Sequence, residues 1–336
     1  MPPRYLTALL CLLCSLATVA EAADPLQAVQ LTPEYALAAY VNRAVAAATP
    51  APAVEQAVII LHGERRNAED YFHIGERLLA AEHWPAAHTL LIAPGFFTAR
   101  DQPNVPGLAL WDKRWMQGSP SVQGQAGITP MQALDGLLTW ITDGNRYPRL
   151  KRVLLIGHSA GGQLLQRYAV FGGAEQHLSV PGIEVRYVIS SPSSYLYFDD
   201  RRPAGAGFDN SAVVPCPEVN HYRYGLEGLP PYLSAQPIAA PELFKRYAAK
   251  HITYLVGGAD NDPDHRLLDK SCAAEAQGRS RLDRQRYFLA YERLLGQQWH
   301  ANLHRRQAEI PGVGHSAQGL YASPVTLKVL ATSGGR

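Results

Sequence analysis

Short runs of consecutive apolar residues alternate along most of the chain with segments whose apolar residues recur at helical spacing. Runs that are apolar at every position are typical of parallel strands buried on both faces. They predict strands at residues 57–61, 88–93, 153–156, 185–189 and 252–256, and a more charged run predicts a last strand at 303–310. The helical spacing predicts helices at residues 68–82, 130–141, 162–170 and 282–299. This alternation indicates an α/β fold with a mostly parallel central sheet and helices on both faces.

Two segments do not follow the alternation. Residues 23–50 are rich in Ala and Pro, and we interpret them as an N-terminal leader with one surface helix. Residues 190–247 are rich in Pro, Gly, Tyr and Asp and show no clear period. We interpret this second segment as a cap-like insertion over the active site of a single domain that spans residues 51–336.

Aromatic residues are frequent in the insertion and in the loop that precedes residue 130. They have two possible roles: to line a ligand pocket, or to pack the insertion onto the body of the domain. The sequence leaves both roles open for Trp111, Trp115, Tyr195, Tyr197, Phe198, Tyr222, Tyr224 and Tyr232.

The first 22 residues have the pattern of a secretory signal peptide. Arg4 precedes an apolar run at 6–19, and Ala20-Glu21-Ala22 has the small residues of a cleavage site that ends at Ala22. The apolar run is shorter than the roughly 20 residues of a membrane-spanning helix, which favours cleavage over an uncleaved anchor. The sequence therefore predicts a periplasmic or secreted protein with no stable membrane span after cleavage.

Charge and cysteine content agree with an exported globular protein. The chain has 47% hydrophobic residues and a net charge of +2, a balance that gives no argument for a nucleic-acid partner. Cys11 and Cys14 lie in the predicted signal, whereas Cys216 and Cys272 remain after cleavage. An even number of cysteines in an oxidising compartment predicts a Cys216–Cys272 disulfide, and the alternative is two buried free thiols.

The segment Gly157-His158-Ser159-Ala160-Gly161 follows the apolar run at 153–156 and precedes a predicted helix. A Gly-x-Ser-x-Gly motif alone is a weak signal, but this context supports it. A sharp strand-to-helix turn lifts the serine out of the sheet and needs small flanking residues. The amino terminus of the helix also favours negative charge that develops near the serine. We therefore predict that Ser159 is a nucleophile.

A serine hydroxyl needs a base to remove its proton, and the base needs an orienting acid. His315 lies in a Gly-rich loop after the last predicted strand, and its late position agrees with the usual chain order of serine, acid and base on such a sheet. His300 and His304 are competitors, but they lie in or beside a helix–strand connection. We predict that His315 is the base.

The orienting acid should follow the penultimate strand. Asp260 is nearest the end of the strand at 252–256, with Asp262 as the alternative and Asp264 as a more distant one. The three alternating carboxylates also fit a calcium loop, but such loops need six or more oxygens and usually a later Glu, which this stretch lacks. We predict that Asp260 is the acid and that neither a metal nor an organic cofactor takes part.

An oxyanion hole needs two backbone N–H groups aimed at the tetrahedral intermediate. One is predicted at Ala160, directly after the nucleophile. The other is predicted at Glu64, with Arg65 as the next choice, in the turn that follows the first predicted strand. His62 in the same turn is expected to pack beneath it and not to act as a base.

These motifs together resemble the α/β-hydrolase superfamily, over residues 54 to the C-terminus. The resemblance is carried by the His62-Gly63 turn, the serine motif, Gly-Gly-Ala-Asp260 and Gly314-His315. More narrowly, His62-Gly63 followed by Arg66-Asn67-Ala68 and Tyr71 resembles bacterial esterases of the polyhydroxyalkanoate-depolymerase-like group. The resemblance implies an α/β-hydrolase fold. The long insertion at 190–247 departs from simple members of the superfamily and leaves the substrate class open.

The predicted function is an exported serine hydrolase that cleaves carboxylic esters through an acyl-enzyme intermediate. Two alternatives remain: a polyester depolymerase or serine peptidase on the same fold, and a binding protein that keeps the scaffold without catalysis. The expected partner is a small or polymeric ester. The sequence does not indicate an oligomeric state or whether the insertion moves.

Overall fold

The computed structural model describes residues 26–45, 50–105, 107–178, 180–210, 216–234 and 238–331. The predicted signal peptide at 1–22 and its cleavage site lie outside these residues and stay a prediction. No helix among the described residues is both long and apolar enough to cross a membrane.

The strands and helices follow one another in the predicted alternation over most of the chain. The strands are β1 Leu26–Gln30, β2 Ala36–Val41, β3 Gln56–Leu61, β4 Thr89–Pro94, β5 Ala109–Leu110, β6 Gln123–Gly124, β7 Arg152–His158, β8 Glu184–Ser190, β9 Arg201–Ala204, β10 Gly207–Asn210, β11 His251–Gly257 and β12 Arg305–Ile310. The α-helices are α1 Ala68–Ala81, α2 Pro130–Ile141, α3 Ala160–Phe171, α4 Pro231–Ser234, α5 Ala240–Ala248, α6 Cys272–Glu275, α7 Arg281–Gln298, α8 Ala317–Tyr321 and α9 Pro324–Ala331. Short 3-10 helices lie at Ala99–Asp101, Trp115–Gln117 and Ala174–His177.

One eight-stranded sheet, in the order β1-β2-β4-β3-β7-β8-β11-β12, forms the centre of the described chain. The six strands from β4 to β12 are parallel to their neighbours, and β1 and β2 form an antiparallel edge. The helix between successive parallel strands lets the chain return to the same edge of the sheet. The predicted fold class, a mostly parallel sheet surrounded by helices, is therefore confirmed.

The apolar runs in the sequence reflect burial on both faces of this sheet. In β3, the side chains of Ala57, Ile59 and Leu61 join one hydrophobic cluster, and those of Val58 and Ile60 join a second cluster on the opposite face. Successive side chains of a strand point to opposite faces, so only a strand covered on both sides needs apolar residues at every position.

The surface helix expected within residues 23–50 is wrong. This stretch contains β1 and β2 instead, and β2 pairs with β4 from Ala39 opposite Pro94 to Val41 opposite Ile92. Alanine favours a helix intrinsically. Here pairing with an existing sheet edge outweighs that preference, and it buries most of β2, with Leu37 and Ala39 nearly inaccessible.

The segment at 190–247 is anchored to the domain by its aromatic residues. Tyr195, Tyr197 and Phe198 are buried, and the Tyr195 ring stacks on Phe288 of α7 with centroids 4.3 Å apart. The end of the segment is the regular helix α5, which packs against α3 as an ordinary connection between β8 and β11. The middle forms the β9–β10 hairpin and irregular turns.

The disulfide predicted from cysteine parity is present between Cys216 and Cys272. It joins the irregular part of the 190–247 segment to the start of α6, across a sequence separation of 56 residues. Cys216 is buried in a small hydrophobic cluster with Val219, Tyr224 and two alanines of α6. The bridge therefore fastens this segment to the chain that follows β11.

Candidate active site

Ser159 lies at the turn between β7 and α3, at the carboxyl edge of the parallel strands. Its backbone has a φ of 56° and a ψ of −118°, which is strained for a residue with a side chain. The Ser159 N–H donates to the Ser190 carbonyl at 2.9 Å, and the Ser159 carbonyl accepts from the Gln163 N–H at 2.8 Å. These two bonds hold the strained turn between the neighbouring strand β8 and the first turn of α3.

The glycines of the serine motif are required by close backbone contacts. A Cβ on Gly157 would lie 2.4 Å from the Gly161 carbonyl oxygen, and a Cβ on Gly161 would lie 2.6 Å from that of His62. Real Cβ atoms do not approach backbone this closely. The first turn of α3 can therefore pack against the ends of β7 and β3 only because these positions lack a side chain.

Ser159, His315 and Asp260 are in hydrogen-bond contact. Ser159 Oγ lies 2.9 Å from His315 Nε2, and His315 Nδ1 lies 2.8 Å from Asp260 Oδ2. If the Nδ1–H donates to the carboxylate, Nε2 is left as the acceptor for the serine proton. All three side chains are largely buried, with Ser159 7% and Asp260 4% exposed.

Two loops are held together so that Asp260 and His315 meet. The N–H groups of Gly258 and Ala259 donate to the carbonyls of Ile310 and Val313 at 2.8 and 2.9 Å. A Cβ on Gly257 would lie 2.1 Å from the Val313 oxygen, so the two loops pack with their backbones in contact. The end of β11 and the loop after β12 thus form one rigid unit.

The competing acids and bases lie away from Ser159. The Asp262 carboxylate is exposed and accepts from the Asp264 N–H at 2.8 Å, within its own turn. His304 packs against the His251 ring, with centroids 5.0 Å apart, and His300 lies in an exposed turn after α7. The Asp260 carboxylate contacts His315 and Arg281, whereas that of Asp262 stays within its own turn. Among the described residues, no group of three or more His, Cys, Asp or Glu side chains is arranged to hold a metal ion.

The buried Asp260 carboxylate is flanked by a buried arginine that the sequence analysis did not identify. Arg281 is 1% exposed, and its Nη1 lies 3.4 Å from Asp260 Oδ1. Burial alone would raise the pKa of Asp260, but the hydrogen bond to His315 and the charges of His315 and Arg281 together lower that pKa below its ordinary value. The acid is therefore kept ionised although it is enclosed by protein.

Burial also affects the imidazole. The pKa of His315 is lowered from its usual value, first by desolvation and then by the Arg281 charge, against the opposing effect of the Asp260 hydrogen bond and charge. A lowered pKa keeps His315 neutral at physiological pH. Neutral imidazole is the form that can accept a proton from Ser159.

A second histidine lies directly against His315. The His158 and His315 rings have centroids 4.6 Å apart, and His158 Nδ1 lies 2.9 Å from the Tyr71 hydroxyl. Burial lowers the pKa of His158 well below its ordinary value, so the ring is neutral. The His158 ring, hydrogen-bonded to Tyr71, packs against the His315 ring and restricts its movement. No sequence pattern marks His158 for this contact, because in the sequence it is only a member of the serine motif.

The predicted oxyanion residues are placed on either side of Ser159. Ala160 is the first residue of α3, and the first N–H groups of a helix have no intrahelical partner. Glu64 lies in the turn after β3, and a Cβ on its neighbour Gly63 would lie 3.7 Å from Ser159 Cβ. Ala160 thus directly follows the serine, and the turn that carries Glu64 approaches the serine at Gly63. Their role as donors stays a prediction.

The Glu64 turn is held by two polar contacts. Arg66 Nη1 donates to the Glu64 carbonyl at 3.1 Å, and Arg66 in turn makes a two-pronged pair with Asp101 at 2.6 and 3.0 Å. Beneath the turn, His62 is fully buried, with Nδ1 2.8 Å from the Gly63 carbonyl oxygen and Nε2 accepting from the Phe96 N–H at 3.0 Å. Desolvation lowers the pKa of His62 to about 4, so it is a neutral packing residue, as expected.

Two open cavities meet at Ser159. The larger, of about 710 Å³, extends past His315 and Tyr71 towards α1. The smaller, of about 400 Å³, extends past Ala160 and Gln163 towards the loop at 113–117. Glu64 and Arg266 border both cavities, so the site is a cleft that continues on either side of the serine.

The aromatic residues considered for a substrate pocket serve packing instead. Trp111 and Trp115 are 2% and 0% exposed and pack around Phe96, with the Trp115 and Phe96 rings stacked at 5.2 Å. Among the described residues of the 190–247 segment, no aromatic residue borders either cavity, and Ser193 and Arg223 border the smaller one. These two residues form part of one wall of the cleft, and the role of the segment as a cap stays a prediction.

The fold matches solved structures of low sequence similarity. A poly(aspartic acid) hydrolase from Sphingomonas sp. KT-1 aligns with a TM-score of 0.59 and 19% identity, over 88% of this chain and 94% of the other. A poly(3-hydroxybutyrate) depolymerase from Bordetella parapertussis aligns with a TM-score of 0.59 and 19% identity, over 89% and 85% of the two chains. No protein-family model and no curated protein sequence matches the chain. These likenesses show that the chain has the α/β-hydrolase fold.

The contact between Gly161 and the end of β3 can be tested. We expect Gly161→Ala to lower the free energy of unfolding by about 1–3 kcal/mol, because the new methyl group must displace backbone. Gly173→Ala is the matched control, since no atom lies within 4 Å of its added Cβ. Urea denaturation of both variants measures the difference, and equal stability of the two would contradict the packing described here.

Proposed function

We propose that the protein is a serine hydrolase in which Ser159 is the nucleophile, His315 the general base and Asp260 the orienting acid. The observation that carries the proposal is the continuous contact from Ser159 Oγ to His315 Nε2 at 2.9 Å and from His315 Nδ1 to Asp260 Oδ2 at 2.8 Å. It occurs on a strained strand-to-helix turn, which is where this chemistry needs an exposed hydroxyl.

The chemistry would proceed in two halves. His315 removes the Ser159 proton as Oγ attacks a carbonyl carbon, and Asp260 stabilises the imidazolium that forms. The N–H groups of Ala160 and Glu64 hold the oxyanion. His315 then protonates the leaving group, and a water molecule activated by the same imidazole releases the acyl group from Ser159.

Carboxylic esters are the substrates that we propose. The fold is shared with a depolymerase and a hydrolase whose names refer to polymers, and the cleft is open on both sides of Ser159. The open cleft favours a polymeric or extended ester as the second candidate, because a chain can pass the serine without ending there. A binding protein without catalysis is disfavoured, since it would not need a strained serine in contact with a base.

We further propose that the protein is exported. The signal-like sequence that ends at Ala22 and the Cys216–Cys272 disulfide support this location, because disulfides persist in oxidising compartments.

The nucleophile can be tested by covalent labelling. We expect a fluorophosphonate probe to label the protein stoichiometrically, and we expect Ser159→Ala to abolish labelling and lower kcat for 4-nitrophenyl esters by roughly 10⁶-fold. Mass spectrometry of the labelled peptide identifies the site. Folded protein that neither reacts with the probe nor releases nitrophenol would favour the binding-protein alternative.

The acid can be assigned by comparing two neighbouring aspartates. Asp260→Asn should lower kcat by roughly 10⁴-fold, because the neutral amide no longer selects the productive tautomer of His315. Asp262 is exposed and lies two residues after Asp260. Asp262→Asn removes the same charge there and should retain nearly full activity. Steady-state kinetics of the two variants gives the ranking, and the reverse order would transfer the role to Asp262.

The pH dependence follows from the environment of His315. Because the pKa of His315 is lowered from 6.5, kcat/KM should rise with pH through an apparent pKa below 6.5 and level off by neutral pH. Arg281→Met removes a charge that lowers this pKa and should shift the acidic limb to higher pH. Arg281→Lys keeps the charge and is the control. An unshifted limb in folded Arg281→Met protein would mean that this arginine does not influence the base.

A further inference from the structure

The two cavities can be assigned to the two halves of an ester, an assignment that rests on the proposed function. The leaving group must lie within reach of His315, which has to protonate it. His315 borders the larger cavity but not the smaller one, which begins at Ser159 and Ala160. The larger cavity would therefore receive the alcohol side, and the smaller cavity, which we call the acyl pocket, would receive the acyl chain.

The acyl pocket is rich in positive charge. Four basic side chains border it, Lys113, Arg223, Arg266 and Lys270, against two acidic ones, Glu64 and Asp269. Across the whole chain the two signs nearly balance, at 31 basic and 29 acidic residues. The excess of basic groups is therefore a local property of this pocket.

Two of the four basic groups lack a partner. Arg223 is neutralised by Asp269, with Nη2 2.6 Å from the carboxylate, and Lys270 lies 3.3 Å from the exposed Asp264. Lys113 and Arg266 make no hydrogen bond or ion pair with any residue that the structure describes. Both are exposed, and they approach the pocket from different loops.

The apolar part of the pocket is small, being limited to side chains such as Met116, Leu267 and Leu268. A long aliphatic acyl chain would cover Lys113 and Arg266 and take water from them without offering a hydrogen-bond acceptor, which is unfavourable. A carboxylate on the acyl chain would instead accept charge-assisted hydrogen bonds from these groups.

The loops that carry Lys113 and Arg266 are held in place by buried side chains. Arg281 Nη2 donates to the Leu267 carbonyl at 2.7 Å, and Arg284 Nη2 donates to the Asp269 carbonyl at 2.9 Å. On the opposite wall, the loop with Lys113 is anchored by the fully buried Trp115. The backbone segments from which Lys113 and Arg266 extend are therefore held in place, which lowers the entropic cost of binding an anion beside them.

We propose that the acyl pocket binds acyl groups that carry a carboxylate remote from the scissile carbonyl, with Lys113 and Arg266 as its recognition groups. Substrates of this class include monoesters of dicarboxylic acids and chains with acidic side groups. The proposal adds a charge requirement to the hydrolase function, and it distinguishes this cleft from one built for aliphatic acyl chains.

The experiment compares two substrates that differ only in this charge. The 4-nitrophenyl monoester of glutaric acid carries the free carboxylate, and its methyl ester is neutral and similar in shape. Release of nitrophenol above the rate without enzyme reports attack at the same carbonyl, because the free carboxylate also expels nitrophenol by itself. We expect the native protein to favour the anionic substrate by about tenfold or more in kcat/KM, and we expect this preference to shrink at high ionic strength, where exposed charges are screened.

Double substitutions that each remove two positive charges identify the groups that recognise the carboxylate. Lys113→Gln with Arg266→Gln should lower the anionic-to-neutral ratio of kcat/KM by about tenfold. Arg65→Gln with Arg77→Gln removes the same charge from the larger cavity, and Arg293→Gln removes one positive charge from an exposed position of α7 outside both cavities. Both of these controls should keep the native ratio.

The outcomes separate this proposal from the hydrolase function. Hydrolysis of the neutral ester without preference for the anionic one, or a ratio that survives Lys113→Gln with Arg266→Gln, overturns the proposal and leaves the hydrolase function standing. A ratio that falls only in Arg65→Gln with Arg77→Gln places the carboxylate on the alcohol side and also overturns it. If neither ester is hydrolysed and the fluorophosphonate probe does not label Ser159, both proposals fail.

Discussion

The close approach between the first turn of α3 and the end of β3 is the constraint on which the candidate site depends. A Cβ on Gly161 would lie 2.6 and 2.7 Å from the carbonyl oxygens of His62 and Leu61. The same contact therefore fixes two things: the height of Ser159 above the sheet and the position of the turn that carries Glu64. Because both elements belong to adjacent parallel strands, the serine and its proposed oxyanion donors form one rigid unit before any substrate binds.

Burial and neighbouring groups together set the protonation states of the ionisable side chains at the site. Asp260 is buried but ionised, since the hydrogen bond to His315 and the charge of Arg281 outweigh the cost of desolvation. Arg281 is also buried, and removing either partner of such a pair leaves an uncompensated charge inside the protein. His62 and His158 show the opposite solution: with no carboxylate in contact, burial keeps them neutral. The neutral His158 ring can therefore pack against His315 without competing for a proton.

Periodicity and motif order were sufficient to predict the parallel strands, Ser159 and His315, because these depend on local pattern and on a chain order shared by this fold. Other features depend on contacts that the sequence does not encode locally. The Ala-rich β2 is a strand only because β4 offers an edge for pairing. Arg281 lies 21 residues from Asp260 at the start of a helix, where nothing in the sequence marks it as a neighbour of Asp260. The roles of the aromatic residues were decided by packing, which a one-dimensional pattern does not determine.

Arg281 also links the proposed chemistry to the wall of the cleft. One guanidinium nitrogen contacts Asp260, and another holds the Leu267 carbonyl in the segment that carries Arg266. A displacement of that segment would therefore move the hydrogen-bond partner of the acid, and through Asp260 the orientation of His315. The disulfide at Cys272 and the Asp269–Arg223 pair restrain the same segment from its other end. In the proposed function, substrate contacts and proton transfer would share one scaffold, so a residue far from Ser159 in sequence would alter activity by changing how this wall is held.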